Sequence, residues 1–326
     1  MIRDLRLDRQ FTLPEIPDLV RLLYIGLSSI TRGNVLFFTG LHTPGAAHHN
    51  LTTLSSFLET LHRPTKTFHS ATYDRISKRH GFEGHGKTVL ITGGASGIGY
   101  NISKAFAEAG VARIAIISRS SAPLQIAKAS LEAAHRSLEV TTYQASIDDY
   151  AKMTEILHEI GSLDVLILNA AIAHRRAKAT EITMEEMQAA LNINTLAAFH
   201  LVKTYLAMPS PTTGRKTVIN ISTAAAHMGH SVHVGYGTSK AAGVQVMQQF
   251  ATQYKDDRNV NIFSLHPGAF YTPGVAANFP KHVADTMKWD DEDLPAHFAL
   301  WLAGPDSECL RGRFLWANWD VDELIC

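Results

Sequence analysis

The chain predicts an α/β fold, a parallel sheet covered by helices on both faces. Three observations carry that expectation. From residue 87 onward, short apolar runs alternate with segments of helical spacing. Several of the runs are almost continuously Val, Ile and Leu, the pattern of a strand buried on both faces. A glycine-rich turn, "TGGASGIG" at 92–99, joins the first run to the first helical segment.

The elements follow in order. "KTVLITG" (87–93) reads as a strand, and "IGYNISKAFAEAG" (98–110) as a helix stopped by Gly110. "RIAIIS" (113–118) is a second strand and "APLQIAKASLEAAHRS" (122–137) a second helix. "EVTTYQA" (139–145), "DYAKMTEILHEIG" (149–161) and "LDVLILNAA" (163–171) continue as strand, helix and strand. One long helix is expected over about 183–208. "KTVINIS" (216–222), a helix over 236–254 and "VNIFSLHPG" (260–268) complete the alternation.

The first 64 residues break this rhythm. Residues 1–80 hold ten Lys/Arg and six Asp/Glu, and their apolar pieces keep no period for long. A helix over 16–30, a short strand over 34–39 and a helix over 51–62 are expected there. We read 1–64 as an extension of unknown role (a helical cover, an oligomerisation arm or a poorly ordered tail) and 65–326 as the main domain. An amphipathic 16–30 segment could also rest on a membrane surface.

Bulk properties exclude several classes. Lys plus Arg and Asp plus Glu are both 30 in 326 residues, so no basic field points to nucleic acid. No run approaches the roughly 18 apolar residues of a membrane-spanning helix. The two cysteines, Cys309 and Cys326, build no disulfide framework, which suits a reducing, cytoplasmic setting. The start "MIRDLRLDRQ" lacks the apolar core of a secretory signal. Seventeen histidines include the "AHH" of 47–49, but no HxxxH set with a third ligand appears, and no metal is expected.

The glycine turn has a physical logic. Gly93 permits the tight turn, Gly97 lets backbone approach a pyrophosphate, and Gly99 lets the helix pack close to the sheet. Ala95, Ser96 and Ile98 complete the loop, whose helix N-terminus offers free N–H groups to phosphate. A purely structural turn would use the same glycines, but the strand before and helix after favour a nucleotide. The second strand ends "ISRSS" with no acid for a ribose hydroxyl. Ser118 and Arg119, with Ser120, form a candidate 2′-phosphate cradle, so the expected cofactor is NADP(H), with NAD(H) the alternative. The competing reading of Arg119 is a solvated side chain at a strand end.

"VHVGYGTSKAAG" (232–243) sets Tyr236 four residues before Lys240, on one helical face. Such a pair alone is usually an exposed polar surface. A nearby ammonium, though, lowers a tyrosine pKa from about 10 toward the range of a working acid/base.

Together, TGxxxGxG, a fourth strand ending "LNAA", YxxxK and "HPG" resemble the short-chain dehydrogenase/reductase family. The resemblance covers about residues 65–320, and "GRFLWANWDVDEL" looks like its fungal members. It implies a Rossmann-type, doubly wound, three-layered sheet. It implies Tyr236 as proton donor, Lys240 on the nicotinamide ribose, and Asn194 of "NINT" in a water relay. The substrate-orienting hydroxyl falls on Thr223, where the family has serine, with Ser222 the neighbouring candidate. Asn169 and Ala170 flank the adenosine ribose, and Pro267, Gly268 and Thr272 face the nicotinamide. Leu168, Ala171 and Ser146 depart from the family pattern around the adenosine.

Residues 273–298 suit a lid over an apolar pocket. Met228, Phe270, Phe279, Met287 and Trp289 are candidate lining residues, each as readily explained by core packing. His227 and His233 are candidates for substrate contact or plain loop histidines. The expected substrate is a small apolar ketone or secondary alcohol, from the fungal look an intermediate of natural-product metabolism. The expected assembly is a homodimer or homotetramer. An epimerase on the same fold and a catalytically silent NADP-binding sensor are the other readings.

Overall fold

The computed structural model describes residues 63–77, 81–229, 232–271, 285 and 288–325. The expectations for 1–62, for Thr272 and for most of the lid lie outside the described residues.

Among the described residues seven strands form one sheet, and every neighbouring pair is parallel. They are β1 (Thr88–Thr92), β2 (Arg113–Ser118), β3 (Glu139–Gln144), β4 (Val165–Leu168), β5 (Lys216–Ile221), β6 (Val260–His266) and β7 (Phe314–Trp316). Their spatial order is β3-β2-β1-β4-β5-β6-β7. The direction of winding reverses between β1 and β4. That reversal opens a crevice at the carboxyl ends of the two strands, where ligands of doubly wound sheets bind.

The helices are α1 (Gly97–Glu108), α2 (Ser121–Ala134), α3 (Tyr150–Ile160), α4 (Met184–Leu191), α5 (Ala197–Ala207), α6 (Val234–Gln253), α7 (Asp293–Ala303) and α8 (Val321–Leu324). α1, α2 and α7 cover one face with Ile102, Phe106, Leu131, Phe298 and Trp301 against Ile91, Ile116 and Phe263. α3, α5 and α6 cover the other with Met153, Leu157, Leu201, Tyr205 and Met247 against Leu90, Leu166 and Val218. Successive strand residues feed opposite cores, so β1, β5 and β6 are buried throughout.

The long helix expected over 183–208 carries an interruption. α4 passes into a π-turn at Asn192–Leu196 before α5 resumes. The wider turn inserts one residue and displaces the backbone at Asn194. α7 and β7 were not read from the sequence. Of the segment expected as a lid, residues 293–298 are the first turns of α7, where Leu294, Ala296 and Phe298 are fully buried. That end is core, because an apolar residue at nearly every position leaves no face for solvent.

The stretch 63–77 is strapped to the C-terminal tail. Phe68 bridges Trp319, and His69 N–H donates to Asn318 O at 2.7 Å. Asn318 Nδ2 returns a bond to His69 O, and His69 Nε2 lies 2.8 Å from Asp320. Arg75 pairs with Asp306 and Asp322, and Glu323 accepts from Thr67.

Candidate active site

The glycine turn leaves β1 at the crevice. Gly93 (φ 67°) and Gly97 (φ 52°) occupy the left-handed region. A Cβ on Gly99 would lie 2.2 Å from Gly93 O, so α1 packs on the turn only because that position lacks a side chain. A Cβ on Gly97 would meet nothing within 4 Å, so that backbone faces open space. No side chain caps the N-terminus of α1 at Ser96. Bare backbone beside an uncapped helix start fits a dinucleotide pyrophosphate.

Two side chains brace this turn. Asn169 Nδ2 donates to Thr92 O at 3.1 Å and Gly93 O at 3.2 Å. The Thr92 hydroxyl accepts from the N–H groups of Asn169 and Ala170. Asn169 was expected beside the ribose, and its amide ties β4 to the glycine turn. Thr92 was missed, although it stands directly before the first glycine. At the end of β2, Ser118 is half-buried and Arg119 exposed, next to the start of α2. The Ser146 hydroxyl bonds Asp148, which supplies an exposed carboxylate two residues after the expected position.

The second half of the site lies at the ends of β5 and β6. The Thr223 hydroxyl lies beside the phenol of Tyr236, close enough to lower its pKa. Thr223 also opens a short 3₁₀ turn (Ala224–Ala226) and accepts from Ala225 N–H at 3.3 Å. Ser222 is buried, and its hydroxyl has no hydrogen-bond partner. The structure therefore brings Thr223, and not Ser222, to the tyrosine. Both lie just past the end of β5, where Thr223 keeps extended backbone (φ −159°, ψ 154°).

Lys240 is buried and donates to Ile221 O at 2.8 Å. Burial pulls its pKa down to about 8. Burial pushes the Tyr236 phenol up, and the neighbouring Thr223 hydroxyl opposes this. The lowering expected from the lysine is not among the causes; desolvation dominates, and what opposes it is the threonine.

Asn194 sits in the π-turn, buried. Its Oδ1 accepts from Ile172 N–H, while its Nδ2 donates to Ile172 O and Ser239 Oγ. Ser239 Oγ in turn donates to Tyr236 O. Asn194 is thus held to both the β4 loop and α6. A Cβ on Gly243 would lie 2.9 Å from Asn194 O, so α6 passes close to that carbonyl.

Beyond β6, Pro267 and Gly268 precede a reciprocal pair. Ala269 N–H donates to the buried Asp290 carboxylate at 2.8 Å, and Asp290 N–H donates to Ala269 O. Phe270 is buried, and Trp289 is half-buried against Tyr271. A cavity of about 500 Å³ is lined by Ala225, Ala226, His227, Met228, His233 and Gly237, among others. Ala225 lies two residues after Thr223, and Gly237 one after Tyr236. His227 stacks edge-on against Phe314, and burial lowers its pKa. Phe279 and Met287 lie outside the described residues.

A glycine turn at the switch point, with Thr223, Tyr236 and Lys240 gathered at the strand ends, fits a nucleotide-dependent oxidoreductase of the doubly wound class. The comparisons agree. The short chain dehydrogenase family model matches residues 87–282. The short chain dehydrogenase/reductase nsrO of Aspergillus novofumigatus is 58% identical over 273 residues, 83% of this chain and 93% of that one. AacuD of Aspergillus aculeatus, of the same description, is 57% identical over 83% of this chain and 93% of its own. A short chain dehydrogenase from Burkholderia cenocepacia, solved with NADP, shares the fold at a TM-score of 0.64 and 24% identity, covering 72% of this chain and 97% of that one. The chain belongs to the short chain dehydrogenase/reductase family and is an oxidoreductase that resembles fungal members.

Proposed function

We propose that the protein is an NADP(H)-dependent reductase or dehydrogenase interconverting an apolar ketone and its secondary alcohol. The observation that carries this reading is the Thr223 hydroxyl beside the Tyr236 phenol, with the buried Lys240 one helical turn on, at the carboxyl ends of the strands. The nicotinamide would deliver hydride from C4 to the carbonyl carbon, or accept it in the reverse direction. Tyr236 gives its proton to the alkoxide oxygen as that oxygen gains charge, and Thr223 hydrogen-bonds the same oxygen. Lys240 holds a cofactor ribose hydroxyl, and Asn194 keeps the β4 loop and α6 in register. Gly93, Ala95, Ser96, Gly97, Ile98 and Gly99 would wrap the pyrophosphate. Ser118 and Arg119 would take the 2′-phosphate, which favours NADP(H) over NAD(H). Pro267 and Gly268 would border the nicotinamide. The alanine, methionine and imidazole lining of the 500 Å³ cavity suits an apolar body carrying polar substituents.

The test is NADPH consumption against a panel of apolar aromatic and alicyclic ketones. Tyr236→Phe should lower turnover by about 10²–10⁴-fold while NADPH still binds. Undiminished turnover in that variant would reject the proton-donor role. Arg119→Ala should weaken NADPH binding and leave NADH binding unchanged.

A further inference from the structure

The histidine of "HPG" has no part in the scheme above, yet it is one of the most enclosed polar side chains near the site. His266 ends β6 and is 5% exposed. Its Nδ1 accepts a hydrogen bond from Ala224 N–H at 3.2 Å. Trp316, its neighbour on β7, stacks edge-on at 4.6 Å. Burial, helped by His227, pulls the imidazole down to about 3, so the ring is neutral throughout the working range. An accepting Nδ1 places the single ring proton on Nε2.

Ala224 directly follows Thr223 and is the first residue of the 3₁₀ turn. Such turns leave their first N–H groups without partners inside the turn. Here the two are shared between two side chains. Thr223 Oγ1 takes Ala225 N–H, and His266 takes Ala224 N–H. The peptide that carries Thr223 forward is therefore anchored from β6, one residue away from the hydroxyl that meets Tyr236.

We propose that His266 is a positioning residue, whose Nδ1 acceptor fixes the Thr223–Ala224 peptide and thereby aims the Thr223 hydroxyl at Tyr236. This rests on the reading above, in which Thr223 and Tyr236 act on the substrate oxygen. Without the acceptor, Ala224 N–H is left unpaired in a buried turn, and the turn shifts to find another partner. A hydroxyl displaced by a fraction of an ångström loses its bond to the developing charge, which affects turnover more than binding.

Two variants separate positioning from bulk. His266→Asn keeps an acceptor at the δ position, and His266→Phe keeps a ring and removes the acceptor. In ¹⁵N spectra of the cofactor-free wild type, Nδ1 of His266 should be unprotonated and Nε2 protonated from pH 6 to 8. The Ala224 amide should exchange slowly in wild type and His266→Asn, and at least tenfold faster in His266→Phe. With NADPH and a turned-over ketone, His266→Phe should lose about 10–100-fold in kcat with KM within about threefold, and His266→Asn should recover most of it. A proton on Nδ1, an equally protected Ala224 amide in His266→Phe, or an Asn variant as slow as the Phe variant would each overturn the proposal. Should wild type reduce no ketone, or Tyr236→Phe reduce it equally well, the reading of the site fails. The spectra and the amide exchange still decide whether His266 holds the turn.

Discussion

Burial that pulls the Lys240 ammonium down to about 8 has a consequence for stability as well as chemistry. In the unfolded chain this lysine titrates near 10.5. Between those values the unfolded state holds a proton that the folded state has released. Stability therefore rises with pH from about 8 to about 10.5, and the penalty of burying the cation is fully present below 8. Lys240→Met should abolish that rise in urea unfolding of the cofactor-free protein at pH 7.5 and 9.5. An unchanged rise would assign it to other groups. At Thr223, serine should preserve the hydroxyl beside Tyr236 and keep turnover within about threefold, because only the γ-methyl is lost. Valine keeps the shape without the hydroxyl and should cost about 10–100-fold in kcat. Equal rates in Thr223→Val would transfer the role elsewhere. The spacing of Tyr236 and Lys240 set them on one helical face, whereas Thr223 and its neighbour Ser222 entered only through the family resemblance. Sequence alone could not separate those two, since which hydroxyl lies beside the phenol depends on the backbone just past β5.

At the scale of elements, the turn between β1 and α1 offers a contrast between two glycines. Gly97→Ala places a methyl in open space at φ 52°, with a backbone strain of about 1–2 kcal/mol. The variant should fold, unfold at a slightly lower temperature and bind NADPH at least tenfold more weakly. Gly99→Ala forces Cβ to 2.2 Å from Gly93 O, so α1 must move off the sheet. Its unfolding temperature should fall further than that of Gly97→Ala, by calorimetry. The reverse order would contradict the packing of α1 on β1. The strand and helix alternation was readable because parallel strands buried on both faces give continuous apolar runs. α7 was not, because in "DLPAHFALWLA" only Asp293 and His297 interrupt an apolar run, too little contrast to show a helical period. β7 was not, because three residues make too short a run to carry a pattern. The π-turn at Asn192–Leu196 leaves no mark in composition at all. It follows from fitting Asn194 between Ile172 and Ser239.

At the scale of the whole molecule, a parallel sheet covered on both faces followed from the alternation, whereas the order of its strands and the closing contacts did not. The bonds joining His69 to Asn318 and Glu323 to Thr67 link residues about 250 positions apart. No local signal in either segment announces its partner. Removing residues 317–326 should therefore release 63–77 from the body of the protein while the sheet stays paired. Limited proteolysis would then cut within 63–77 in the truncated chain and spare it in the full one. A protected 63–77 in the truncated chain would mean that other contacts hold it.

The strap also sets an order of events during synthesis. Residues 63–77 leave the ribosome long before the tail that receives them is made. At roughly 5–20 residues per second, the delay is on the order of 12–50 seconds. For that interval Phe68, His69 and Tyr73 travel without their docking surface, until Asn318, Trp319 and Asp320 are made.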